Sequence, residues 1–278
     1  MFILSAFADE IGPEPLEQID LLDKAGVKHI EFRSIHATNV LALGDRQLAD
    51  FKALLDKRGF KLSAIGSPIG KIKIDEPFEP HLERFRRAIH LCRVFGVKNI
   101  RIFSYYLPAG ETWGKWRGEV MSRMLEKAKI AMKEGVRLLH ENEHGIFGDD
   151  PARVVDLMQT VLKEVPLDNF AAIYDPANYV HCGYDPWQGW ELTRQWTVHF
   201  HIKDWVKGET KARLPGAGAG RIPDVIADAV RRNYDGFATL EPHMLGGGPT
   251  GGVTGPELFP KAIAAFQKIV EKAGGRYR

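Results

Sequence analysis

Cysteine is scarce: Cys92 and Cys182 are the only two in 278 residues. Two thiols make a poor disulfide framework, and they fit no metal-binding spacing, so a reducing cytoplasm is the expected compartment. Long apolar runs are also missing. The opening Met1-Phe2-Ile3-Leu4-Ser5 soon meets Asp9 and Glu10, too short for a signal peptide or a membrane span, and no membrane association is expected. No excess of one charge sign exists either. The 38 Lys and Arg are interspersed with 36 Asp and Glu for a net charge of +2, which gives no reason to expect nucleic acid. No Gly-x-Gly-x-x-Gly follows the first apolar run, where a dinucleotide fold would want one. No low-complexity linker divides the chain.

What the sequence does hold is a repeating rhythm. Short apolar runs at Phe2–Phe7, Lys28–Phe32, Lys61–Ile65, Asn99–Phe103, Val136–Glu141, Phe170–Tyr174, Thr197–Lys203 and Phe237–Leu240 read as buried strands. Between them lie helical patterns: one opened by Pro13 and Pro15, then Asp45–Arg58, Phe78–Phe95, Gly118–Lys133, Pro151–Leu162, Pro186–Gln195, Ile222–Arg232 and Pro256–Ala273. Five strands follow a glycine helix stop, at Gly26, Gly59, Gly96, Gly135 and Gly236. Eight units in 278 residues is about one per 35, the spacing of βα repeats. The expectation is a single (β/α)8 TIM barrel spanning residues 1–278 as one domain, of the α/β class.

In such a barrel the chemistry gathers where strands end. The last four strands end in Glu141, Asp175, His201 and Glu241. Three carboxylates and one imidazole suit one divalent ion, Mn²⁺, Mg²⁺, Co²⁺ or Zn²⁺, with coordination positions left for substrate. Any one of these residues alone would be an ordinary salt bridge, cap or hydrogen-bonded histidine; four on four consecutive strands are what make the pattern. Strand register separates neighbours: Leu139, Glu141 and Glu143 share one face while His140 and Asn142 point the other way. On the seventh strand His199, His201 and Lys203 share a face, and His199 reads as a filler of the barrel interior. The run Gly216–Gly220 reads as a flexible loop, and Gly246–Gly252 as a second loop that shapes the pocket.

Five segments carry a resemblance to a known family: Gly66-Ser67-Pro68-Ile69-Gly70-Lys71-Ile72, His140-Glu141-Asn142-Glu143, Asp175-Pro176-Ala177-Asn178, His201-Ile202-Lys203-Asp204 and Glu241-Pro242-His243. In this order and spacing the chain resembles the sugar phosphate isomerase/epimerase group with its xylose isomerase-like TIM barrel. The resemblance implies a metal bound by Glu141, Asp175, His201 and Glu241. One departure stands out: many relatives place a His three residues after the sixth-strand Asp, where this chain has Asn178. The endonuclease branch's extra His ligands are missing too, with Ser67, Ser104 and Tyr105 at those strand ends.

The expected reaction is proton transfer next to a carbonyl, through an enediolate stabilised by the metal, with Glu141 and Glu241 as the catalytic base and acid. The expected substrate is a small sugar, ketose, polyol or sugar phosphate. Lys203 is a candidate for holding a substrate oxygen or phosphate, balanced against a plain salt bridge. Arg221, His36, Lys71 and His181 are weaker substrate-binding candidates. Two other readings stay open: an inosose-type dehydratase on the same metal site, and a non-catalytic sugar-binding barrel. Besides the substrate, the one partner to consider is a further copy of the chain in a homo-oligomer.

Overall fold

The computed structural model describes residues 1–248 and 251–278. Eight parallel strands close into a barrel: β1 (Phe2–Ala6), β2 (His29–Phe32), β3 (Lys61–Ile65), β4 (Asn99–Ile102), β5 (Arg137–Glu141), β6 (Phe170–Tyr174), β7 (Thr197–Ile202) and β8 (Gly236–Leu240). Each pairs with its neighbours in sequence, and β8 closes on β1 with Ser5 opposite Thr239. The expected TIM barrel is therefore the observed one, and each strand lies within about a residue of its expected span.

The helices are α1 (Pro15–Lys24), α2 (Asp45–Arg58), α3 (Phe78–Phe95), α4 (Trp113–Lys133), α5 (Pro151–Val161), α6 (Pro176–Cys182), α7 (Pro186–Thr193), α8 (Ile222–Arg231) and α9 (Phe259–Lys272). Their ends follow from local chemistry. Gly59 and Gly96 end α2 and α3 at φ 68° and 67°, a left-handed conformation that costs glycine little. Asp150 caps α5 by accepting from the Ala152 N–H, with Pro151 in the first turn. Two differences from expectation are informative. Helix α4 starts at Trp113 rather than near Gly118, because Gly114 and Gly118 are carried inside it. The short α6 lay hidden in the stretch that reads as a strand-end motif: Asp175 is both a strand-end carboxylate and the cap of α6, accepting from the Asn178 N–H at 3.1 Å.

Among the described residues two hairpins decorate the barrel, Ser34–Ile35 with Thr38–Asn39 and Gly246–Gly248 with Gly251–Val253. No helix among the described residues is long and apolar enough to cross a membrane.

The main apolar core lies between strands and helices, where outward residues such as Phe32, Ile100, Leu138, Tyr174 and Phe200 are buried. The barrel interior differs. A small apolar plug of Leu139, Ala171 and Ile173 sits inside. The rest is filled by fully buried polar side chains: Ser5, Ser63, Glu31, Arg101, His199, His201 and Thr239. Buried polar groups persist when they pair with one another, as Ser5 Oγ does with Ser63 Oγ at 2.7 Å and Thr239 Oγ1 with Glu31 Oε2 at 3.1 Å, while His201 Nδ1 and Glu31 Oε1 are left without a hydrogen-bond partner.

Candidate metal and substrate site

Strand pleat carries Glu141, Asp175, His201 and Glu241 to one end of the barrel. There, one ligand atom from each lies within 4.8 Å of all the others, and all four residues are buried. His201 Nδ1 lies 3.0 Å from Glu141 Oε1 and 3.5 Å from Glu241 Oε2. Lys203, one pleat beyond His201, places its Nζ 2.7 Å from Asp175 Oδ2 and 3.2 Å from Glu241 Oε2. A cation therefore already sits among the carboxylates.

The carboxylates are held from behind. Glu141 accepts from Arg101 Nη1 at 3.3 Å and from Asn178 Nδ2 at 3.2 Å. Asn178 also donates to the Asn142 carbonyl at 2.8 Å, so the residue that departs from the family pattern has a defined post here. Asn142 exchanges two hydrogen bonds with the Asp175 backbone, at 2.8 and 2.9 Å. Arg33 bridges Asp9 and Glu241, with Nε–Oδ2 2.7 Å and Nη1–Oε1 3.0 Å. His243 joins Glu10 to Glu241 at 3.2 and 3.3 Å. Arg33, Arg101, Glu31, Glu10 and His243 are thus parts of the site that the sequence reading did not select. Glu10, Glu31, Arg33 and His243 were visible as strand-end polar residues, but Arg101 on β4 looks like any outward polar residue of a strand.

Electrostatics follow the packing. Burial, together with the charges on Glu241 and Glu141, lifts the Asp175 carboxyl to about 7 despite Lys203. Burial would lift Glu241 as well, but Lys203, His243 and His201 outweigh it and hold that carboxyl well below its usual range. For His201, burial opposes the charge and Glu141 and Glu31 reverse it, raising the imidazole to about 10.

The donor set fits a divalent ion. His201 Nδ1 is buried, has no hydrogen-bond partner, and points at two carboxylates; three carboxylates and an imidazole offer hard and borderline donors.

A cavity of about 1240 Å³ opens above the quartet. Glu241, Asn178, Lys203, Lys71, His181 and Trp205 are among the residues that line it. Lys71 pairs with Glu143 at 2.8 Å and lies over the Phe103 ring. The His181 ring packs on Trp205 with centroids 4.3 Å apart, and burial, with Lys203 nearby, lowers its imidazole to about 4. Two other candidates are not among the residues that line the cavity. Arg221 bonds Asp224 at 3.0 Å and covers the Trp187 ring. His36 faces Glu14 at 3.3 Å, while its neighbour Ala37 reaches the cavity.

Two loop readings change as well. Asp204 accepts from the N–H groups of Gly216, Gly218 and Gly220 at 2.8, 2.9 and 2.8 Å, so this glycine run is pinned rather than slack. A Cβ on Gly218 would stand 2.4 Å from Asp204 Oδ1. Part of Gly246–Gly252 forms the second hairpin, with Pro249 and Thr250 outside the described residues. Beneath the site His199 fills the barrel as expected, and it also bonds Thr239 at 2.6 Å and faces Glu31 at 3.1 Å.

Comparison with known proteins agrees with this architecture. The profile of the xylose isomerase-like TIM barrel family matches residues 19–269. No curated protein sequence matches the chain. Among solved structures, a probable 3-DHS dehydratase involved in petrobactin synthesis in Bacillus anthracis superposes with a TM-score of 0.75 at 16% identity, covering 96% of this chain and 99% of that one. A xylose isomerase-like TIM barrel protein from Mycobacterium smegmatis, in complex with magnesium, gives 0.73 at 15% identity over 98% and 97%. The 3-keto-D-glucoside 4-epimerase of E. coli gives 0.71 at 14% identity over 96% and 100%. At these identities the likeness is one of fold.

Proposed function

We propose that this chain, which belongs to the xylose isomerase-like TIM barrel family, is a divalent-metal-dependent isomerase or epimerase of a small sugar, ketose or sugar phosphate. The observation that carries the reading is the buried quartet of Glu141, Asp175, His201 and Glu241 beneath the cavity. A sugar-binding protein without chemistry has no need of three carboxylates converging on one imidazole. When bound, a divalent ion supplies Lewis-acid stabilisation of negative charge developing on substrate oxygens.

The chain's own residues do the rest. Glu141 at the end of β5 and Glu241 after β8 stand at the two ends of the four-strand arc and both face His201 Nδ1, so one can take a proton from a carbon next to a carbonyl and the other can return one. Return to the opposite face gives an epimer; return to the adjacent carbon gives an isomer. Arg101 and Asn178 hold Glu141 in place, and Arg33 and His243 hold Glu241, which limits rotamer loss during reaction. Lys203, whose Nζ reaches Asp175 and Glu241 at the cavity floor, would hold a substrate oxygen with its ammonium. The same ammonium favours a second reading: it can give a proton to a departing hydroxyl, which turns the same first step into a dehydration. We place the protein in the cytoplasm as a one-domain enzyme; Cys92 and Cys182 are both free thiols.

The test is a panel of ketoses, inososes and their phosphates incubated with the Mn²⁺-reconstituted protein in deuterated solvent. Deuterium entering a substrate carbon reports proton abstraction without knowledge of the product, and loss of water marks the dehydratase reading. The proposal predicts incorporation that disappears in Glu141→Gln and Glu241→Gln; incorporation that survives either change removes the two-carboxylate assignment.

A further inference from the structure

We infer that Glu31, on β2, is the positioning residue that presents His201 Nδ1 to the cation; this rests on the metal reading above. An imidazole that binds a metal through one nitrogen carries its proton on the other, so whatever accepts that N–H decides which nitrogen faces the ion. His201 turns Nδ1 toward Glu141 and Glu241 and Nε2 toward Glu31, whose Oε2 lies 3.1 Å away. That geometry calls for a His201 protonated at Nε2, and Glu31 is the acceptor in place.

Glu31 is itself locked. It is 0% exposed, on the barrel floor below the quartet. Its Oε2 also accepts from Thr239 Oγ1 at 3.1 Å and faces His199 Nε2 at 3.1 Å. On its other side Arg101 Nε stands 3.9 Å from Oε1, and the same guanidinium holds Glu141. One arginine therefore bonds the ligand Glu141 and sets its positive charge beside the carboxylate that aims the ligand His201. A carboxylate buried this deeply is costly unless its partners require it, and an apolar residue of similar size would fill the space. His199 and Thr239 complete its shell but do not touch the quartet's ligand atoms, so they provide an internal control.

Calorimetric titration with Mn²⁺ alone, on wild type, Glu31→Gln and Thr239→Val, separates the roles. Gln keeps the volume and one acceptor oxygen while removing the charge. The inference predicts Mn²⁺ affinity about 10–100-fold weaker in Glu31→Gln, with Thr239→Val within about threefold of wild type. Glu31→Gln within threefold of wild type overturns it. Equal losses in both variants also overturn it, because Glu31 then acts through barrel packing alone. No uptake by wild type removes the metal reading itself, and the inference with it. Should Glu31→Gln fail to fold, the wild type decides: long-range nitrogen–proton spectra of the imidazoles during Zn²⁺ titration should show His201 protonated at Nε2 with Nδ1 shifting. The opposite tautomer overturns the inference.

Discussion

Lys203 concentrates the electrostatics of the site. Its ammonium is the counter-charge to Asp175 and Glu241, and its own pKa is pushed well above the ordinary range: burial opposes the charge, and Asp175, Glu241 and Glu143 more than reverse it. Removing one partner of a buried pair leaves the other uncompensated, at a cost of about 3–5 kcal/mol. Lys203→Met is therefore expected to melt well below wild type without metal and to gain more than wild type from added Mn²⁺. Melting curves with and without Mn²⁺ check this; equal gains in both proteins would show that ammonium and metal do not share the carboxylates. The sequence made the quartet legible because four strands in a row end in ligand-type residues. It marked Glu31 and Arg33 only as polar residues at a strand end, with no role, and Arg101 not at all. An inward polar residue on a barrel strand has the same alternation as an outward one, and only closure of the barrel brings β2 and β4 against β7 and β8.

At the scale of elements, the loop after β7 depends on one carboxylate. Asp204 gathers three glycine amides, and the close approach of Gly218 leaves no room for a side chain. Gly218→Ala should cost about 1–3 kcal/mol, as overpacking does, and open residues 214–220 to proteolysis; an unchanged cleavage rate would mean that the amides do not depend on Asp204. Helix α4 carries a different strain. Lys127 is 0% exposed with Nζ over the Tyr105 ring, and burial, with help from Arg123, lowers its ammonium to about 7. Unfolded, a lysine titrates near 10.4. Between these values the unfolded chain binds more protons, so the stability contributed at this site rises with pH through that window, and the full penalty applies below pH 7. Lys127→Met should stabilise by about 1–4 kcal/mol at pH 6.5, with the gain shrinking by pH 10. Denaturant titrations at the two pH values check it, and a gain independent of pH would mean that the lysine is charged throughout. The strands were legible because buried parallel strands are short apolar runs ended by glycine helix stops. The α6 helix was not, because it is short and its cap is also a site residue.

For the whole molecule, part of the polar barrel interior and the quartet belong to one network, from His199 and Thr239 through Glu31 and His201 to Glu241 at the cavity. A ligand that binds only the folded chain stabilises it by mass action, about 2.7 kcal/mol at a hundred times Kd. Chelation should therefore lower the melting temperature of the whole protein, and a melting curve with EDTA against one with excess Mn²⁺ checks that. The barrel and its family were legible from repeat spacing and strand-end motifs. The identity of the substrate was not, because the cavity walls come from loops whose packing no periodic pattern encodes. The proposed function rests on one divalent ion held by Glu141, Asp175, His201 and Glu241. Elemental analysis of the protein reconstituted with Mn²⁺ and freed of excess metal decides whether it is there. About one ion per chain is expected in wild type, with a large loss in Asp175→Asn; a wild type that retains no metal, or an Asp175→Asn protein that retains as much, rules this site out.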